Sequence, residues 1–133
     1  MNNTTSLVRS RKLPETINIH LTRICNFGCR YCYADFGECG SAQIQPDHLR
    51  RIIEAIGRAD PPLGGRSRKV NFAGGEPLLY AELPNILALS KKLGLATSLV
   101  TNGSLLDERA IAPLSGILDN CVQSRQAPRP FAL

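Results

Sequence analysis

The stretch Thr16-Ile-Asn-Ile-His-Leu-Thr-Arg-Ile-Cys-Asn-Phe-Gly-Cys-Arg-Tyr-Cys32 joins the two readings that decide the fold. Over residues 16–22 apolar and polar side chains alternate at period two and β-branched residues are frequent, which predicts a first strand. That strand runs into a loop carrying three cysteines at C-x-x-x-C-x-x-C spacing. The segments beyond the loop settle the kind of sheet this strand joins.

Downstream, Pro46 stands at a first helical position and Asp47 favours the helix N-terminus. Leu49, Ile52, Ile53 and Ile56 then recur at helical spacing, predicting an amphipathic helix that ends near Gly57. Asp60-Pro-Pro-Leu-Gly-Gly65 is a turn-rich loop, and Lys69-Val-Asn-Phe-Ala73 reads as a second strand ending in Gly74-Gly75. Leu83, Ile86, Leu87, Ser90 and Leu93 give a second helical face, stopped by Gly94, and Leu95-Ala-Thr-Ser-Leu-Val-Thr101 reads as a third strand. Ser104 and Asp107, three apart, are similar to a capping box for a short helix over 105–114, with Pro113 at its end. Gly116-Ile-Leu-Asp119 looks like the entry to a fourth strand.

Strands alternating with helices imply right-handed βαβ units and a parallel sheet, an α/β fold. The fourth strand is expected to fail after Asp119. Residues 120–133 are polar and hold two prolines, where a buried parallel strand reads as an apolar run. The chain therefore divides into a disordered N-terminal extension over 1–15, a core over 16–119 and an aberrant tail over 120–133.

A length of 133 residues fits one domain and excludes two. At 43% hydrophobic and 20% charged residues, wholesale disorder is disfavoured. Apolar runs are a few residues long, too short for a membrane span, and the opening Met1-Asn-Asn-Thr-Thr-Ser lacks a signal peptide's apolar stretch. A reducing cytoplasm is the expected setting, in which five cysteines point to metal or redox chemistry rather than disulfides. The net charge of +5 is spread along the chain, with no tryptophan and 5% aromatic residues, so a nucleic-acid stacking surface is poorly supported. A few basic residues remain available for a small anion such as a triphosphate.

Cys25, Cys29 and Cys32 on one short loop can wrap a corner of a cubane cluster and leave its fourth iron without a protein ligand. A structural zinc site, or a closed electron-transfer cluster with Cys39 as fourth ligand, uses the same residues. Cys121 reads as a bystander. The spacing, with an aromatic Tyr31 just before the third cysteine, resembles the signature of the radical S-adenosylmethionine (SAM) family. Gly74-Gly75-Glu76-Pro77, directly after the second strand, strengthens the resemblance. It implies a 4Fe-4S cluster on Cys25, Cys29 and Cys32 and a SAM site that takes in Tyr31, Gly74, Gly75 and Glu76, with Glu76 and exposed backbone meeting the amino group of SAM. Asn102 and Ser104, in an Asn-Gly turn at the end of the third strand, are further SAM-contact candidates. The fold implied is the N-terminal part of a partial (βα)6 barrel, about three βα units plus the start of a fourth strand, cut short by truncation or a frameshift.

Within the family, Asn18-Ile-His-Leu-Thr-Arg-Ile-Cys-Asn-Phe, Lys69-Val-Asn-Phe-Ala-Gly-Gly-Glu-Pro and Thr101-Asn-Gly-Ser-Leu-Leu are similar to viperin and its prokaryotic relatives. Those enzymes convert a ribonucleoside triphosphate (CTP, UTP or GTP) into its 3′-deoxy-3′,4′-didehydro form through a 5′-deoxyadenosyl radical, in antiviral defence. The resemblance implies nucleotide contacts from Asn18 and Lys69, and an electron donor such as flavodoxin or ferredoxin with its reductase. Direct nucleic-acid and membrane partners are not expected. On the residues alone Asn18 is equally a satisfied polar residue of a strand and Lys69 an ordinary strand-entry lysine. Ala73 stands where animal viperins have serine, removing one hydroxyl contact to SAM. His20 and His48 read as structural. A peptide-modifying maturase of the same family, an inactive remnant, and a zinc or iron-sulfur interaction module are the competing functions.

Overall fold

In the computed structural model, which describes residues 12–29, 32 and 42–124, the alternating segments become four strands of one parallel sheet. The strands are β1 (Thr16–His20), β2 (Lys69–Ala73), β3 (Ala96–Thr101) and β4 (Asn120–Gln123). They lie side by side in the order β1-β2-β3-β4, so each crossover leads to the adjacent strand. Helix α1 (Pro46–Arg58) links β1 to β2, α2 (Leu83–Lys92) links β2 to β3, and the short α3 (Glu108–Ile111), followed by a 3-10 turn (Ala112–Leu114), links β3 to β4.

Parity along the strands separates two faces. Ile19, Val70, Phe72 and Leu99 turn to the helices and join one core with Leu49, Ile53 and Ile56 of α1 and Leu83, Ile86 and Leu87 of α2. The opposite parity carries Asn18, Asn71, Ser98 and Asn120, which the register sets in one cross-strand row. That row faces away from α1 and α2. Gly57 lets the ends of the two helices close, since a Cβ there would stand 3.0 Å from the Cβ of Leu93.

Three expectations are corrected. β4 forms inside the segment read as an aberrant tail: Ser98 pairs with Asn120 and Thr101 with Gln123 in parallel register. All four β4 residues are exposed, so the strand is held by backbone ladder bonds and has no need of an apolar run. Asp119 anchors its start, accepting from the Thr97 backbone N–H at 2.8 Å and from the Lys91 ammonium at 2.6 Å. The helix expected over 105–114 begins at Glu108, and its cap is Asp107, which accepts from the Ala110 N–H at 2.8 Å. Ser104 is engaged elsewhere. Residues 13–15, read as part of a disordered extension, are tied down. The buried Arg68 guanidinium donates to the carbonyls of Pro14, Leu13, Ile56 and Asp60, and Glu15 accepts from the Lys69 N–H. Residues 1–11 and 125–133, Tyr31 and Cys39 lie outside the described residues.

Candidate functional site

The cysteine loop leaves the carboxyl end of β1 and its base is closed by backbone bonds. Arg23 N–H donates to Ala42 and Ile44 N–H to Leu21, while Thr22 and Gln43 form an antiparallel bridge. The buried Tyr80 hydroxyl donates to the Ile44 carbonyl at 2.9 Å and holds the returning strand of the loop. From the other side the Gly74-Gly75-Glu76 turn docks on the outgoing strand: Gly75 N–H donates to Thr22 and Glu76 N–H to Ile24, at 2.7 and 2.8 Å. This approach requires glycine. A Cβ on Gly75 would stand 2.1 Å from the Ile24 carbonyl oxygen, and one on Gly74, at φ +152, 2.6 Å from that of Thr22.

Glu76 is fully buried. One carboxylate oxygen accepts from the Thr101 hydroxyl at 2.6 Å and the Leu78 N–H at 3.1 Å, and the other accepts from the Asn102 N–H at 2.9 Å. One side chain thus ties its own turn to the end of β3, while its backbone ties the same turn to the cysteine loop. Asn102 and Ser104 come together at this edge: the Asn102 side-chain oxygen accepts from the Ser104 N–H and hydroxyl, at 2.9 and 2.7 Å. Asn26, between Cys25 and Cys29, completes the cluster. Its Nδ2 donates to the Ser104 hydroxyl at 2.9 Å and its Oδ1 accepts from Asn102 Nδ2 at 3.0 Å.

Asn26 and Thr101 were missed in the sequence reading, because nothing in motif spacing says that a loop asparagine reaches across to a turn 76 residues away. Asn71 and Ser98 left a usable signal: they are polar residues on strand positions that share the parity of Asn18.

Asn18 and Lys69 lie on the same face of the sheet. Asn18 Oδ1 accepts from Asn71 Nδ2 at 2.8 Å. Lys69 pairs with Thr16 in the next row towards the amino ends and is half-buried. It opens β2, so its backbone stands four residues, about 13 Å, from the carboxyl edge.

Cys25, Cys29 and Cys32 are free thiols, each half-buried, and Cys32 N–H donates to the Cys29 carbonyl at 3.1 Å. Burial, and then the neighbouring Cys25 and Cys32, push the Cys29 thiol above its ordinary value. Three thiolates close enough to repel one another are a donor set whose charge a cationic iron cluster offsets, so the residues fit a 4Fe-4S cluster. Among the described residues no three metal-ligating side chains already converge to a metal-binding group, so the thiols are neighbours without being drawn to one point. No helix among the described residues is long and apolar enough to cross a membrane.

The radical SAM superfamily model matches residues 19–120, and the chain belongs to that superfamily. It is 35% identical over 108 residues to an S-adenosylmethionine-dependent nucleotide dehydratase of Lacinutrix mariniflava, covering 81% of this chain and 22% of that protein. A protein of the same name from Selenomonas ruminantium is 32% identical over 98 residues, which is 73% of this chain and 33% of that protein. The chain thus spans a third or less of the length of these two relatives. Among solved structures, BtrN in complex with AdoMet and 2-DOIA aligns with a TM-score of 0.73 over 89% of this chain and 48% of that chain, at 20% identity. That likeness establishes the fold, a parallel α/β sheet consistent with part of a partial barrel.

Proposed function

We propose that the chain forms the cluster and SAM portion of a nucleotide dehydratase that converts CTP, UTP or GTP into its 3′-deoxy-3′,4′-didehydro form, in antiviral defence. The observation that carries the reading is that Asn18 and Lys69 share the helix-free face of the sheet, with Asn18 on the strand that runs into the cysteine loop. The names of the relatives support it. Cys25, Cys29 and Cys32 hold the 4Fe-4S cluster; Cys39 is not needed. When bound, such a cluster supplies an open iron and one electron, and with SAM that chemistry yields a 5′-deoxyadenosyl radical.

The chain's own residues position and shield. The ammonium of SAM is a donor, and the N–H groups of Gly75 and Glu76 are already spent on the cysteine loop. What the turn offers SAM is therefore carbonyl oxygen, held in place by the buried Glu76. Asn102 and Ser104 border the same edge of the site, and Tyr31, next to Cys32 in the sequence, is a further SAM contact by family resemblance. Asn18 and Lys69 bind the nucleotide, with Lys69 meeting phosphate. Together they would orient the sugar so that its 4′ carbon is presented to the site. A flavodoxin or ferredoxin with its reductase supplies electrons, and a reducing cytoplasm keeps the thiols free.

The test is anaerobic reconstitution with iron and sulfide, followed by SAM, dithionite and each nucleotide. The expected products are 5′-deoxyadenosine and a didehydro nucleotide from at least one of CTP, UTP and GTP. Formation of 5′-deoxyadenosine that no nucleotide stimulates, with no didehydro product, contradicts the dehydratase reading.

A further inference from the structure

On the helix-free face, two buried polar atoms have no hydrogen-bond partner: Asn71 Oδ1 and Ser98 Oγ. Ser98 is 1% exposed. Burying a hydroxyl or amide oxygen without a partner is unfavourable, and such atoms are rare in folded proteins unless a ligand or water completes them. The two residues are register partners on adjacent strands, which lie about 4.8 Å apart, so one small group can touch both.

The Asn71 Nδ2 donates to Asn18 Oδ1 at 2.8 Å, which leaves Asn71 Oδ1 as an acceptor turned away from Asn18. Ser98 Oγ either donates or accepts. An acceptor beside a hydroxyl is complementary to a hydroxyl, which gives one hydrogen and takes another. The row sits between the carboxyl edge, where the cysteine loop leaves β1, and the row of Lys69 two residues further down, about 6.6 Å away. A nucleotide whose phosphate reaches Lys69 while the 4′ carbon of its sugar is turned towards the edge lays that sugar over Asn71 and Ser98.

Building on the nucleotide reading, we propose that Asn71 and Ser98 form the sugar-recognition point of the substrate site, binding a ribose hydroxyl, and that Asn18 orients Asn71 for this role. The pair therefore selects ribonucleotides over nucleotides that lack the 2′ and 3′ hydroxyls. Leaving these atoms unpaired in the free protein is unfavourable for folding, and the ligand relieves it.

The experiment compares binding of CTP, 2′,3′-dideoxy-CTP and inorganic triphosphate to the full chain by calorimetry, alongside Ser98→Ala and Asn71→Ala. The expected result is a roughly tenfold preference of the wild-type chain for CTP over the dideoxy nucleotide. Each substitution brings that preference close to unity, and Ser98→Ala, which removes no bond to Asn18 or Lys69, leaves triphosphate binding unchanged. Ser98→Ala also unfolds at the same or a higher temperature, because it deletes an unsatisfied hydroxyl. Equal wild-type affinity for CTP and its dideoxy form, or a Ser98→Ala chain that keeps the preference or melts at a lower temperature, overturns the sugar assignment while the nucleotide reading stands. Failure of the wild-type chain to bind CTP or triphosphate overturns the nucleotide reading, and the sugar assignment with it.

Discussion

At Glu76 a single carboxylate accepts from three donors on two segments of chain: the Leu78 N–H, the Thr101 hydroxyl and the Asn102 N–H. A glutamine in its place keeps the shape but turns one acceptor into a donor. Whichever way the amide turns, its NH2 faces a backbone N–H, either that of Leu78 or that of Asn102. We expect Glu76→Gln to lower stability by about 1–3 kcal/mol, read from the urea midpoint at unchanged slope. An unchanged midpoint means that the three bonds do not hold the edge together. The motif that contains Glu76 was legible in the sequence; its inward role was not, because a motif fixes spacing and says nothing of which atoms are buried. Asn26 was wholly illegible, since its partners Asn102 and Ser104 are brought to it only by the sheet.

Among the elements, α1 and α2 were legible almost to the residue, because burial on one face leaves a periodic trace in the sequence. Replacing Ile53, buried on α1, with alanine should cost about 2–5 kcal/mol in the same urea measurement. A loss below about 1 kcal/mol would contradict its place in the core. β4 was illegible for the opposite reason: four exposed residues leave no apolar pattern, and the strand depends on its ladder and on Asp119.

The hydrogen bond from Lys91, and then that from the Thr97 N–H, hold the Asp119 carboxyl below its ordinary value. A carboxyl depressed in the folded state contributes stability above its unfolded-state pKa and loses it as pH falls through the folded value. Asp119→Asn should therefore melt below the wild-type chain at pH 7, and the gap should close as the pH drops beneath the usual carboxylate range. With Asp119 43% and Lys91 35% exposed, the ion pair itself adds under about 1 kcal/mol. A gap that is constant with pH would show that charge plays no part.

For the molecule as a whole, the order of strands and the gathering of the cysteine loop, the Gly-Gly-Glu-Pro turn and the Asn-Gly turn at one edge come from parallel βαβ units. This much was legible, because each motif sits immediately after a strand. The polar row across the helix-free face was not read as a unit, since register is a property of the assembled sheet. The account rests on Cys25, Cys29 and Cys32 holding a cluster with one iron open to SAM. The most direct measurement is metal analysis of the anaerobically reconstituted chain together with electron paramagnetic resonance of its reduced form, with and without SAM. The expected result is about four iron and four sulfide per chain, loss of the cluster on Cys29→Ala but not on Cys39→Ala, and a spectrum that changes when SAM is added. Bound zinc, or an iron cluster that requires Cys39 and whose spectrum ignores SAM, would contradict it.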